Sequence, residues 1–197
     1  TDYYAVQIGS YITESEAKNA SNAIKELGGA GYIIVDGSYR IIAGVYPQEE
    51  QALTVIANTT QYASSKYIIS IPAISLNFSD KKIKQAVEES LSKWDAIYKK
   101  LYEHSILLDK GQTTDVAVLQ DIKLTYDSLK AHIDEYTQLT KDNSRMEHIR
   151  IKTAMLSMLT TLNSLINTVQ KQKLSSEIKY AYTQILIEYR NLAKEIG

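Results

Sequence analysis

The chain has no cysteine and only two prolines. Without a thiol there is no disulfide framework, no thiolate nucleophile and no cysteine-ligated zinc site. The two prolines, Pro47 and Pro72, leave long stretches open to uninterrupted helix, and Pro72 closes the last stretch with strand character. An excess of charge is missing too. Lysine and arginine number 22 against 23 aspartates and glutamates, for a net charge of −1. Residues 1–78 carry four basic against seven acidic side chains, and residues 79–197 carry eighteen against sixteen. Phosphate-backbone binding draws on counterion release from a concentrated basic face, so nucleic acid is not expected as a ligand. No apolar run approaches the roughly 18 residues of a transmembrane helix, and no signal peptide is legible. The chain opens at Thr1, without Met, directly on a strand; any contact with a membrane is expected through an N-terminal anchoring helix outside this sequence.

What is present is a hydrophobic content of 44% over 197 residues, enough to pack one large or two small domains. In the first strand Tyr4, Val6 and Ile8 alternate with Tyr3, Ala5 and Gln7, and Gly9-Ser10 is read as the strand end. Thr13, with Glu16 three residues on, fits a capping box, and Ala17, Ala20, Ile24 and Leu27 recur at helical spacing up to Gly28-Gly29. Those glycines follow a helix and precede a strand, the reverse of a phosphate-binding loop, and are read as a helix C-cap. Tyr32 to Val35 forms a second strand, Asp36-Gly37 a hairpin turn, and Tyr39 to Val45 a third strand. In the third, Ile41, Ala43 and Val45 are assigned to one face, with Ser38, Arg40 and Ile42 on the other. A helix from Pro47 through Ala52, Val55, Ile56 and Thr59 leads to a fourth strand, Tyr67 to Ile71. The order βαββαβ is the split-βαβ arrangement (ferredoxin- or RNP-like): two helices on one face of a four-stranded antiparallel sheet, with the other face open.

From Asp80 the period lengthens. Ile83, Val87, Leu91, Trp94, Tyr98, Leu101 and Leu108 keep three-or-four spacing, as do Val116, Leu119, Ile122, Tyr126, Leu129, Ile133, Tyr136 and Leu139, with Thr114 as N-cap. A third apolar face runs from Met146 through Met155, Leu162 and Ile166 to Val169, and a fourth from Leu174 to Ile196. Polar breaks at Asp109 to Thr113, Lys141 to Ser144 and Gln170 to Lys173 suit antiparallel neighbours. The fold class expected is therefore α+β: a sheet domain over residues 1–74 followed by an all-α four-helix bundle over residues 79–197. A longer coiled-coil hairpin or exchange between subunits stays open as an alternative.

Three pieces of the first 72 residues stand apart from generic strand sequence. Tyr4-Ala5-Val6-Gln7-Ile8-Gly9-Ser10-Tyr11, the Gly31-Tyr32 before the second strand, and Tyr39-Arg40-Ile41 followed by Gly44 resemble the SPOR domain, a peptidoglycan-binding module of bacterial division and sporulation proteins. The resemblance spans residues 3–72; residues 79–197 resemble no family recognised here. It implies a module that binds peptide-stripped glycan strands on the sheet face opposite its helices, with Gln7 and Ser10 as glycan contacts. Several members of that family have tryptophan where this chain has Ser38, with Tyr39 as the neighbouring aromatic.

The chemistry of the residues points the same way. A saccharide strand presents hydroxyls, amides and flat C–H faces, which call for neutral donors and acceptors beside an apolar or aromatic floor. Gln7 and Ser10 supply the polar groups, and Arg40 can pair with a lactyl carboxylate exposed by removal of peptide stems. Ile42 and Ile68 are assigned to the floor. The expected glycan site is thus Gln7, Ser10, Ser38, Tyr39, Arg40, Ile42 and Ile68.

Other chemistries find less support. His104, His132 and His148 lie on three different segments, with no second histidine at metal-ligand spacing. Glu14, Glu16 and Asp36 could supply carboxylates for sugar hydrolysis, but a flat sheet lacks the cleft that chemistry needs. An RNA-binding reading fails because the third strand lacks the aromatic pattern that stacks bases. The expectation is a non-enzymatic binder of peptidoglycan glycan strands, needing no cofactor, that localises an anchored envelope protein on the extracytoplasmic side of a bacterial cell. The alternative is a helical interaction or oligomerisation scaffold, acting through a protein partner or self-association, whose SPOR-like part is degenerate.

Overall fold

The computed structural model describes residues 1–167 and 173–197. Val169 and Gln170 to Gln172, part of the third apolar face and of the last polar break, lie outside the described residues. The strands are β1 (Asp2–Tyr11), β2 (Tyr32–Val35), β3 (Tyr39–Tyr46) and β4 (Ser64–Ser70), with α1 (Glu14–Glu26) and α2 (Glu49–Asn58) between them. Four long helices follow: α3 (Lys81–Asp109), α4 (Asp115–Thr140), α5 (Met146–Ile166) and α6 (Leu174–Ile196). The sheet order is β2-β3-β1-β4 with every pair antiparallel, as the split-βαβ reading requires.

Local chemistry sets the boundaries. Thr13 caps α1: its hydroxyl oxygen accepts from the Glu16 N–H at 3.4 Å, and its O–H donates to the Glu16 carboxylate at 2.6 Å. At the other end the Gly29 N–H returns to the Ile24 carbonyl and that of Gly28 to Lys25, a double closure made possible by Gly28 at φ +90°. These glycines close a helix, as the C-cap reading expects. Thr114 caps α4 and Asp80 caps α3 through their side-chain oxygens. Helix α2 begins at Glu49, two residues past Pro47.

Two irregularities correct the expected strand faces. Along β1 and β3, Val6 pairs with Gly44 but Gln7 pairs with Ile42, so Ala43 is an extra residue on β3. Val45 is thereby turned onto the face of Ile42 and away from that of Ile41, against the simple alternation. Further on, Gln7 pairs with Ile42 and Ser10 with Arg40, which puts one extra residue on β1. Gly9, at φ +80°, takes up the bend. The strand does not end at Gly9-Ser10; it bulges there and continues to Tyr11.

The larger correction concerns the open face. One hydrophobic cluster, Val6, Ile8, Ala17, Ile24, Ile41 and Ala52, lies between the sheet and α1/α2. A second runs without interruption from the opposite face of the sheet, through Tyr3, Ala5, Ile34, Ile42, Val45 and Ile69, into Trp94, Tyr98, Leu101, Tyr182, Ile185 and the rest of the helical bundle. Helices α3 and α6 therefore form a third layer over the face expected to be bare. In the bundle α3 packs chiefly on α6, α4 on α5 and α5 on α6.

Candidate functional site

The bundle covers one end of the sheet face and stops short of the other. At the covered end Tyr3 meets Tyr98 edge-on at 4.9 Å and donates to Asp95 at 3.2 Å, while the Tyr98 hydroxyl donates to the Val45 carbonyl at 3.2 Å. Tyr32 packs on Tyr180 and Tyr46 on Tyr102. Burial among Tyr182, Tyr102, Tyr3 and Tyr46 drives the Tyr98 phenol well above its ordinary range, and burial pushes that of Tyr46 up to about 12. Burying Ile42, Val45 and Ile69, each 0% exposed, at roughly 1.5–3 kcal/mol apiece contributes about 4.5–9 kcal/mol from the sheet side.

Beyond the edge of the bundle lies a polar ledge. Because of the Gly9 bulge, Ser10 emerges on the same side as Gln7, opposite Arg40, and its hydroxyl donates to the Ser38 hydroxyl at 2.8 Å. Arg40 donates from Nη1 to the Gln7 amide oxygen at 3.2 Å, and its Nε lies 3.8 Å from an Asp36 carboxylate oxygen. Its guanidinium stands 5.7 Å from the centre of the Tyr67 ring. Gln7 also faces Ser65 across β4. Ser10 and Ser65 are exposed, whereas Gln7, Ser38, Arg40 and Tyr67 are half-buried. Nη1 is thus taken up by Gln7, while the buried Nε makes no hydrogen bond among the described residues and has only the longer ion-pair contact with Asp36. The ledge offers hydroxyls, an amide and a pre-positioned guanidinium, all on stiff backbone; it holds no nucleophile paired with a base.

Of the seven expected site residues, the fold gathers Gln7, Ser10, Ser38 and Arg40. Tyr39 packs on the opposite face with α1 and α2. Ile68 pairs with Tyr4 on that same opposite side and is 46% exposed there, next to Lys66, which bonds to Glu49 of α2. Ile42 shares the face of Gln7 but is fully buried beneath the bundle. Ser65 and Tyr67 belong to the ledge and were not singled out from sequence. The signal for them was available: counting in twos from buried Ile69 places both on the Gln7 side.

Elsewhere the titratable groups are taken up one by one. His104 bonds Asp121 at 2.7 Å, His132 bonds Ser90 at 2.9 Å, and His148 bonds the Tyr136 hydroxyl at 2.8 Å. Burial lowers the pKa of both His132 and His148. Glu14 pairs with Lys18, Glu16 with Thr13 and Asp36 with Arg40, so the three carboxylates form no common site. Among the described residues no group of three or more His, Asp or Glu side chains is arranged to hold a metal ion. Nor, among them, is any helix long and apolar enough to cross a membrane.

The split-βαβ sheet carries this polar ledge at the end that the bundle leaves free. The family model described as the SPOR domain matches residues 1–64, from β1 through both sheet helices to the first residue of β4. No curated protein and no solved structure matches the chain. The SPOR match indicates peptidoglycan binding of the kind associated with cell division, by a domain that binds and does not catalyse.

Proposed function

We propose that this chain binds the glycan strands of peptidoglycan, stripped of peptide stems, without enzymatic turnover, and so localises an envelope protein during division or sporulation. Gln7, Ser10, Ser38 and Arg40 are the contacts: the amide and hydroxyls bond sugar hydroxyls and acetamido groups, and the Arg40 guanidinium takes a carboxylate. The observation that carries this reading is the alignment of these four side chains on one ledge within the stretch that matches the SPOR domain. An extracytoplasmic location, with anchorage outside this sequence, belongs to the same proposal. Sedimentation with purified peptide-stripped strands tests it. Wild-type protein is expected in the pellet, and Gln7→Ala/Ser10→Ala is expected to lose tenfold or more in affinity; undiminished retention of the double variant would rule out the ledge.

A second reading, in which the helical bundle is a partner-binding scaffold and the sheet a degenerate module, is favoured by one observation, the burial of the apolar part of the sheet face. Failure of wild-type chain to sediment with any glycan preparation would shift the balance to it.

A further inference from the structure

We propose that the helical bundle is a fixed cap on the saccharide face, so that glycan is taken on the ledge alone and α3 and α6 stay in place when it binds. This rests on the glycan-binding reading above and goes beyond it, because it states which part of the face the ligand reaches.

The cap is held in three places. Its middle is the continuous core that joins Ala5, Ile42, Val45 and Ile69 to Trp94, Tyr98, Leu101 and Tyr182, all 0–1% exposed. On the far side polar ties fasten α6 to the C-terminal end of α1: Ser176 donates to the Gly29 carbonyl, Lys179 to the Gly28 carbonyl at 2.8 Å, and Glu177 faces Lys25 at 3.9 Å. The segment that joins sheet to bundle is tied down along its length by alternate residues. Ile71 is buried, Ile74, Leu76 and Phe78 pack on the same core, Arg145 donates to the Asn77 carbonyl at 2.8 Å, and its guanidinium stacks 4.4 Å from the Phe78 ring. Relative motion of two units is the ordinary expectation unless their interface is large and hydrophobic, and here one apolar core runs unbroken from the sheet into the bundle. A ligand that needed the open face would bind with its affinity reduced by the small fraction of molecules in which that face is free.

The specificity that follows is for a hydroxyl-rich, carboxylate-bearing saccharide segment held by hydrogen bonds and by Arg40. Aliphatic floor of the kind Ile42 and Val45 would provide is already occupied by the protein's own aromatic side chains.

The chain carries its own reporter. Trp94, its one tryptophan, is fully buried in the cap, stacked on Tyr189 at 5.3 Å and adjacent in sequence to Asp95, which bonds Tyr3 of the sheet. Full-length chain is titrated with solubilised peptide-stripped glycan strands while Trp94 emission and amide exchange are followed together. The expected result is saturable binding with an unchanged emission maximum, undiminished protection at Ala5 and Ile69, and shifts confined to Gln7, Ser10, Ser38, Arg40, Ser65 and Tyr67. A red shift of Trp94, or faster exchange at Ala5 and Ile69 on binding, would overturn the fixed cap while leaving glycan binding intact. Tyr3→Phe, which loosens the tie to Asp95, should change affinity by less than twofold; a tenfold gain would mean that the cap is a removable lid. Absence of binding by folded chain would remove the glycan reading itself, and this inference with it.

Discussion

Substituting Gly9 tests how this backbone makes its site. At φ +80° Gly9 sits where an L-residue pays about 1–2 kcal/mol for the approach of its Cβ to the following carbonyl. An added Cβ would meet the Tyr11 ring at 3.3 Å, but that contact is with the far end of a side chain able to swing aside, so the backbone term dominates. Gly9→Ala is therefore expected to destabilise the chain by about 1–2 kcal/mol, a fall in Tm of roughly 2–8 °C at this size. The functional consequence exceeds the energetic one. The simplest escape from the strain is to straighten the bulge, and a one-residue change of register moves Ser10 to the other face, away from Ser38 and Arg40. Glycan sedimentation well below Tm should then weaken several-fold although the protein is folded, whereas Gly9→Asn, which tolerates the left-handed region better, should keep more of both properties. Parental stability together with parental retention in Gly9→Ala would refute the argument, since neither the strain nor the alignment would then depend on the bulge.

Because one core runs from sheet to bundle, urea unfolding followed by Trp94 emission and by far-ultraviolet circular dichroism should give coincident transitions; two separated ones would show that the sheet and the helices fold independently. Ile69→Ala, at a fully buried junction position, is expected to cost about 2–5 kcal/mol while glycan retention by the folded fraction stays within twofold, and a selective loss of binding would contradict the cap. The pH dependence follows from His132 and His148. Burial lowers both below the ordinary 6.5, so under mild acid the unfolded chain binds protons that the native chain refuses. Their contribution is fully present above about pH 6.5 and is lost as pH falls below it; denaturation midpoints at pH 7.5 and 5.5 should show the drop, reduced in His148→Phe, and a midpoint that rises on acidification would reverse the sign of the reasoning.

Element order, helix ends and the hairpin were legible because each is written in local chemistry: Thr13 with Glu16, Gly28-Gly29 behind Ile24, Asp36-Gly37 between apolar runs, Thr114 ahead of a helical period. What alternation alone misjudged was which face each strand residue takes. A period of two carries no information past an inserted residue, so the insertions at Ala43 and next to Gly9 reassigned Val45 and put Ser10 on the Gln7 side without altering any apolar count. Glycine inside strand sequence is the usual mark of such a bulge, and Gly9 and Gly44 both stood there.

The covered face was also written in the strands, in a form that only two-sided burial explains. Tyr3 and Ala5 beside Tyr4 and Val6, Ile41 next to Ile42, and Ile33 next to Ile34 are apolar on both faces of the sheet. A strand with one face in water has no reason to carry a second apolar row, whereas one packed on both sides must. Where the second row ends, at Gln7, Arg40 and Ser65, the bundle ends too. The polar ledge and the cap are thus two consequences of one pattern: the apolar row on this face runs only as far as α3 and α6 reach, and the residues past that limit stay polar because water, or a saccharide in its place, is what they face.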